Sequence, residues 1–206
     1  QVPAVAAHAV PAVTPKGWSH PGEFEALAYY AEMVGGPFLE IGSYAGRSTC
    51  VLGTVARYLD SVVFAIDHHR GPDGPADTGS PEMSPGQDCH DPDMIREWDG
   101  RFDSLPDLRR NLADAGLEPW VVPIVASSEM VAPWWWLEVG LVFIDGGHDP
   151  GTVLTDYEDF APHVRPGGAL CFHDAAQGPP ADVADMAEGD GWELVDQIES
   201  LRVLTR

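Results

Sequence analysis

Basic residues are scarce in this 206-residue chain, where 11 lysines and arginines stand against 33 aspartates and glutamates. Nucleic acids and anionic membranes bind to basic surfaces, so the formal net charge of −22 disfavours both as partners. Solubility alone can explain an acidic surface. Such a surface also suits a neutral or cationic substrate, or a bound metal ion.

Cysteines are few and long apolar runs are absent. The three cysteines, Cys50, Cys89 and Cys171, form no CxxC pair, which predicts a reduced, cytoplasmic protein. The longest apolar runs have the length of a strand, so no membrane-spanning helix is expected. The Ala/Val/Pro-rich start lacks the basic and continuous apolar parts of a signal peptide. We expect residues 1–17 to form a flexible arm or an extension that contacts a second subunit.

Short apolar runs alternate with helical patterns along the rest of the chain, which predicts a single α/β domain with a mostly parallel sheet. A first helix is expected at 20–34, and a βαβ unit spans 37–67. The later strands are expected at 121–126, 141–145 and 169–173, the later helices at 104–115, 152–163 and 182–187, and two antiparallel closing strands at 192–198 and 201–205.

One long segment interrupts this alternation. Residues 68–103 are rich in Gly, Pro and Asp and show only a short helical pattern near Asp93 to Trp98. Segments of this length without regular structure are uncommon in compact domains unless they have a function. We therefore interpret residues 68–103 as a lid-like insert.

The strongest local motif runs from Glu40 to Thr49, between a predicted strand and a predicted helix. Its glycines allow a sharp turn and close approach of a ligand to the backbone. The spacing is Gly42-x-x-x-Gly46 rather than the G-x-G-x-x-G of dinucleotide sites. Glu40 in the strand would repel a pyrophosphate, yet would attract a cationic amino-acid end or a sulfonium. The motif resembles the first motif of class I S-adenosylmethionine-dependent methyltransferases.

This resemblance implies a set of cofactor contacts. Asp67, at the end of the second strand, matches the acidic residue that accepts hydrogen bonds from the ribose hydroxyls. Ser128 follows the third strand, where the family commonly contacts adenine, although a helix N-cap would explain the same residues. The residues expected to bind S-adenosylmethionine are Glu40, Gly42, Ser43, Gly46, Ser48, Asp67 and Ser128.

A second group of motifs comprises Phe143 to His148, Asp156-Tyr157 and Arg165 to Asp174. Together they resemble the macrocin O-methyltransferase type of sugar methyltransferases and, more distantly, the catechol type. The resemblance implies a Rossmann-like, doubly wound, seven-stranded sheet, mostly parallel, with one antiparallel strand near the C-terminus. It also implies that Asp145 and Asp174 bind Mg²⁺ or another divalent cation and that His148 is the general base.

Elementary chemistry agrees with these roles. Both aspartates follow strands that are expected to be neighbours, at the edge where α/β sheets place ligands. Carboxylate oxygens suit Mg²⁺, a metal lowers the pKa of a hydroxyl, and imidazole is suited to accept its proton. A surface histidine in a loop remains the alternative for His148.

The motif departs from the catechol type at His173-Asp174, where that type has Asp-Asn. We therefore include His173 as a possible metal ligand, or else as a residue that orients the substrate. A third acidic ligand is expected from the insert, with Asp91 or Asp93 favoured over Asp88 and Glu97.

The sequence thus predicts a metal-assisted O-methyltransferase that acts on a hydroxyl of a sugar or glycoside, as a small molecule or an oligosaccharide. The alternatives are a catechol or phenol methyltransferase, a nicotinamide dehydrogenase, which the Gly spacing disfavours, and a non-catalytic module that binds S-adenosylmethionine. Three consecutive tryptophans, Trp134 to Trp136, suit sugar stacking or a dimer interface, with at least one expected in the core. We expect a homodimer.

Overall fold

The computed structural model describes residues 15–17, 19–71, 92–95 and 101–206. Seven strands form one sheet in the order β3-β2-β1-β4-β5-β7-β6. They are β1 (Phe38–Ile41), β2 (Val63–Ile66), β3 (Val121–Ile124), β4 (Val139–Ile144), β5 (Val164–Phe172), β6 (Glu193–Ile198) and β7 (Leu201–Thr205). The helices are α1 (Pro21–Val34), α2 (Arg47–Tyr58), α3 (Leu105–Asp114), α4 (Ser128–Val131), α5 (Pro150–Phe160) and α6 (Pro179–Gly189).

The strand directions confirm the predicted fold. Strands β1 to β5 pair in parallel, and β7 pairs antiparallel with both of its neighbours, β5 and β6. Strand β7 is therefore the one strand that runs against the others. Because β1 lies between β2 and β4, the chain crosses from one half of the sheet to the other next to β1, and this is where such sheets bind ligands.

The core fills both faces of the sheet, because successive side chains of a strand point to opposite faces. Phe38 packs on the face covered by α1, α2 and α3, whereas Leu39 and Ile41 pack on the face covered by α5 and α6. The cysteines Cys50 and Cys171 are buried and form no disulfide. Cys89 lies outside the described residues.

The three tryptophans divide between core and surface. Trp135 packs edge-on against Phe64 and Phe160, with ring centroids 5.3 and 6.2 Å away, and its indole N–H donates to the carbonyl of Leu137. The flanking Trp134 and Trp136 are 82% and 83% exposed. Trp135 is thus the one of the three that packs against the core, and it is itself only partly buried.

Only parts of the predicted insert and N-terminal arm are among the described residues. Ile95 forms a bridge with Phe102, whose ring stacks on Tyr44 at 6.1 Å. Lys16 forms an ion pair with Asp93 at 3.0 Å. The predicted flexible arm and lid otherwise lie outside the described residues. No helix in the described part of the chain is long and apolar enough to cross a membrane.

Candidate active site

A cavity of about 1240 Å³ opens at the carboxyl ends of the parallel strands. Single ligand sites are usually about 300–1,000 Å³, so this cavity has room for a cofactor and an acceptor together. Nine of the sequence-predicted site residues line it: Gly42, Ser43, Ser48, Asp67, Ser128, Asp145, His148, His173 and Asp174. Glu40 and Gly46 are not part of the lining.

Two glycines shape the turn between β1 and α2. Gly42 has φ +91°, and a β-carbon there would clash with the carbonyl of Asp145 in the loop after β4. Gly46 has φ +88°, caps α2, and would clash with Leu108 if it carried a β-carbon. Only glycine fits these positions without strain. The spacing of the motif thus serves close packing of the turn, in addition to access for a ligand at Gly42.

Glu40 lies behind the wall of the cavity and links β1 to α2. Its side chain is fully buried, and its two carboxylate oxygens accept hydrogen bonds from the hydroxyls of Ser48 and Thr49, both at 2.5 Å. Burial raises the pKa of Glu40 to about 8, although the two hydrogen bonds oppose this. Glu40 therefore fixes the start of α2 to β1. Its carboxylate does not line the cavity, and its attraction for the cationic end of a cofactor stays a prediction.

Asp67 lies at the cavity wall, just after β2. One carboxylate oxygen accepts from the backbone N–H of Tyr44 at 2.7 Å, and the other accepts from that of His69 at 2.6 Å. These bonds fix the orientation of the carboxylate. Each oxygen keeps a second lone pair, so the group can still accept hydrogen bonds from a diol.

The residues after β3 combine capping with access to the cavity. Ser127 is the N-cap of α4 and accepts from the N–H of Met130, which is the alternative that the sequence left open. Ser128 lines the cavity, next to Asp156 of α5. Asp156 is buried, and burial raises its pKa to about 6; its Oδ2 has no hydrogen-bond partner among the described residues.

Asp145, His148 and Asp174 form the acidic end of the cavity. The ligand atoms of these three residues all lie within 4.8 Å of one another, and His148 Nε2 is 3.3 Å from Asp174 Oδ2. Asp145 follows β4 and Asp174 follows the neighbouring β5, as predicted. Asp174 has φ +52°, a left-handed conformation that non-glycine residues seldom adopt outside functional turns.

His173 lies between Glu23 and the two aspartates. Its Nε2 lies 3.2 Å from Glu23 Oε2, and its Nδ1 lies 2.9 Å from Asp145 Oδ1 and 3.4 Å from Asp174 Oδ2. Burial alone would lower the pKa of His173, but the carboxylates of Asp145 and Asp174 raise it to about 11. His173 is not part of the group that could hold an ion, and its role as a metal ligand stays a prediction. In the structure its Nδ1 contacts Asp145.

Glu23 of α1 contacts both His173 and Ser200 in this network. One of its oxygens accepts from the backbone N–H and the hydroxyl of Ser200, at 2.9 and 2.6 Å, and the other faces His173. Burial would raise the pKa of Glu23, but the hydrogen bonds from Ser200 and from the backbone of His20 keep it below its usual value. The Ser200 hydroxyl also lies 3.4 Å from Asp174 Oδ1. Glu23 thus supports both aspartates through one intermediate residue each.

The predicted third acidic ligand is not established. Asp93 pairs with Lys16 and is not part of the group that could hold an ion. Asp88, Asp91 and Glu97 lie outside the described residues.

Sequence reasoning also missed Arg47 and Glu23. Arg47 follows Gly46 directly and lines the cavity, so its place in the motif was a usable signal. Glu23 carried no such signal, because an acidic residue in the first turn of a helix usually needs no further explanation.

The two ends of the cavity offer different chemistry. Two carboxylates and an imidazole can hold a cation or accept a proton at one end. At the other end, Asp67 can accept hydrogen bonds from a ribose, and the glycine turn allows a ligand to approach the protein backbone closely. Group transfer between two bound molecules requires such an alignment.

Comparison with known proteins identifies the domain. The O-methyltransferase NovP matches with a TM-score of 0.69 and 20% identity, over 90% of this chain and 80% of its own. PaMTH1, a methyltransferase of Podospora anserina bound to SAH, matches with a TM-score of 0.60 and 13% identity, over 91% of this chain and 79% of its own. An rRNA methylase of Streptococcus thermophilus matches with a TM-score of 0.57 and 15% identity, over 93% of this chain and 99% of its own. At these identities the structures establish the fold and leave the acceptor open. A family model described as a methyltransferase domain matches residues 39–175, which is more than half of the chain, and the chain belongs to this family.

Proposed function

We propose that the protein transfers the methyl group of S-adenosylmethionine to a hydroxyl oxygen of a sugar or glycoside. We further propose that Asp145 and Asp174 hold a divalent cation, such as Mg²⁺, beside that oxygen. The observation that carries this proposal is the cluster of Asp145, His148 and Asp174, which shares one cavity with Gly42 and Asp67.

The cofactor half of the proposal rests on the first two strands. Asp67 is oriented by two backbone N–H groups and keeps lone pairs for ribose hydroxyls. Gly42 and Ser128 both line the cavity, which supports close approach of the cofactor to the turn after β1 and a contact between Ser128 and the adenine. The SAH found in PaMTH1 supports the same choice of cofactor.

The acidic cluster fits a divalent cation by its donor chemistry. Carboxylate oxygens are the ligands that Mg²⁺ prefers, and Asp145 and Asp174 offer them from adjacent strands. Burial raises the pKa of Asp145, so a cation beside it would favour its charged form. The imidazole of His148 stands close enough to complete the set as a third ligand, or to act on the acceptor instead.

The chain's residues would act on the acceptor as follows. A bound cation would supply the positive charge that lowers the pKa of the acceptor hydroxyl. Asp145 and Asp174 orient the acceptor oxygen towards the methyl carbon, and His173 and Glu23 keep these aspartates in place. His148 Nε2 takes the proton as the oxygen–carbon bond forms and the carbon–sulfur bond breaks, which leaves S-adenosylhomocysteine.

The short distance between His148 and Asp174 supports a second mechanism, which needs no cation. His148 Nε2 lies 3.3 Å from Asp174 Oδ2, so this carboxylate can orient the imidazole towards an acceptor. In this version the His148–Asp174 pair deprotonates the hydroxyl without a cation. Activity in the presence of a chelator separates the two mechanisms.

The choice of acceptor rests on the resemblance of residues 143–174 to sugar O-methyltransferases. A phenolic acceptor would use the same groups, so it remains the alternative. RNA, the acceptor class of the Streptococcus thermophilus rRNA methylase, is disfavoured here by the net charge of −22, since RNA binding needs basic surface.

The test is methyl transfer from isotopically labelled S-adenosylmethionine to a panel of sugars, methyl glycosides, oligosaccharides and catechols. Each acceptor is assayed with added Mg²⁺ and with a chelator. We expect label on a sugar or glycoside, lost with chelator and restored by Mg²⁺. Label on catechols alone would overturn the acceptor assignment, and undiminished transfer with chelator would favour the metal-free pair.

A further inference from the structure

Arg47 is a cation that faces the cofactor half of the cavity. It is the first residue of α2, and its side chain lines the cavity beside Ser43 and Tyr44. The guanidinium lies 5.0 Å from the ring centroid of Phe24, and its Nη1 donates to the carbonyl of Gly17. These contacts hold the guanidinium in place and leave its charge uncompensated.

The remaining donors of Arg47 are not all used. Its Nε is buried and has no hydrogen-bond partner among the described residues. No carboxylate in the described part of the chain forms an ion pair with Arg47, whereas Lys16, the other basic residue of the lining apart from histidines, pairs with Asp93. A guanidinium that lines a ligand cavity and is neutralised by no carboxylate points to an anionic ligand group.

The surrounding charge makes this cation distinctive. Six carboxylate side chains contribute to the lining: Asp67, Glu129, Asp145, Asp149, Asp156 and Asp174. Such a cavity repels a negatively charged ligand group, except next to a guanidinium. Arginine is also the side chain best suited to a carboxylate, because its planar fork donates two parallel hydrogen bonds.

Only one group of S-adenosylmethionine is anionic, namely the α-carboxylate of its methionine part. We propose that Arg47 binds this carboxylate. The inference rests on the proposed cofactor and assigns a recognition residue for its amino-acid end. The β1–α2 turn that carries Arg47 lies in the cofactor half of the cavity, whereas an acceptor would bind at Asp145 and Asp174, after β4 and β5. The free N–H groups of the first turn of α2, which has no acidic residue, would also favour a negative group at this end of the helix.

The test compares two ligands that differ only in this group. Calorimetry measures the affinities of S-adenosylmethionine and of decarboxylated S-adenosylmethionine for the wild type, Arg47→Met and Arg47→Lys. The wild type should prefer the carboxylated ligand roughly 10- to 150-fold, the range for a hydrogen bond to a charged group. Arg47→Met should lose this preference and bind the decarboxylated ligand within about twofold of the wild type. Arg47→Lys should retain part of the preference.

Arg57→Met is the matched control, because Arg57 is an exposed arginine at the other end of the same helix. It should leave both affinities unchanged. If Arg47 only held Gly17 and Phe24 in place, Arg47→Met would lower the affinities for both ligands equally. That result would overturn the inference while the cofactor assignment stands. Equal binding of the two ligands by the wild type would overturn it without any variant. If the wild type binds neither ligand, the proposed cofactor and this inference both fail.

Discussion

The buried carboxyl of Glu40 should make the stability of the protein fall as pH rises through the neutral range. In the folded chain burial raises its pKa to about 8, against 4.5 for an ordinary glutamate. Between these two values the folded state keeps a proton that the unfolded state has lost. Because the folded state then binds more protons, the free energy of unfolding decreases with rising pH.

The size of this effect follows from the pKa difference. Within the window the slope approaches about 1.4 kcal/mol for each pH unit, since one proton separates the two states. Between pH 5.5 and pH 7.5 the Glu40 contribution should therefore change by about 2–3 kcal/mol. Glu40→Gln keeps a group of the same shape, which can accept from one hydroxyl and donate to the other, but it cannot ionise. The variant should lack this part of the pH dependence.

Urea unfolding of the cofactor-free protein, followed by circular dichroism at several pH values, measures the effect. Other groups titrate in the same range, so the informative quantity is the difference between wild type and Glu40→Gln at each pH. The variant should gain relative to the wild type as pH rises from 5.5 to 7.5. Glu25→Gln, a change at an exposed glutamate of α1, is the control and should follow the wild type. Parallel curves for wild type and Glu40→Gln would refute the reasoning.

Three further predictions concern the cavity. Asp67→Ala should weaken S-adenosylhomocysteine binding by about 1.5–3 kcal/mol, measured by calorimetry, because hydrogen bonds to a charged group are lost; unchanged affinity would refute the ribose assignment. His148→Ala should slow single-turnover methyl transfer by about 10²–10⁴ with Mn²⁺ affinity retained if His148 is the base, whereas weakened Mn²⁺ binding would make it a ligand instead. Glu23→Gln should weaken Mn²⁺ binding and lower the free energy of unfolding by about 1–3 kcal/mol, with S-adenosylhomocysteine affinity kept; full Mn²⁺ affinity would contradict its supporting role.

The fold was predictable because its signals are local. Buried strands such as β1 and β4 read as short apolar runs, and the glycines of the β1–α2 turn mark where one strand gives way to a helix. The antiparallel closing pair was also visible as two short alternating runs joined by a tight turn. The strand boundaries were predicted less accurately. Strand β5 begins at Val164, five residues before the expected start, because the Pro-Gly-Gly segment continues the strand.

The site was predictable only where a residue's role follows from its position at a strand end. Asp67, Asp145 and Asp174 each follow a parallel strand, so the sheet itself brings them to the cavity. The role of Glu40 did not follow in this way, because its partners lie on the next helix. The surroundings of His173 could not be derived either, since Glu23 is 150 residues away in sequence. Partners at such separations are determined by tertiary packing, which no local pattern encodes.

The packing at Gly42 links the two halves of the cavity. The turn after β1 and the loop after β4 lie so close that a β-carbon at Gly42 would clash with the carbonyl of Asp145. The backbone N–H of Asp145 also donates to the carbonyl of Ile41 at 2.8 Å. The turn after β1 and Asp145 are therefore held together by backbone contacts. If the proposed function holds, methyl transfer requires oxygen, carbon and sulfur to be aligned, and a fixed distance between this turn and Asp145 serves that alignment.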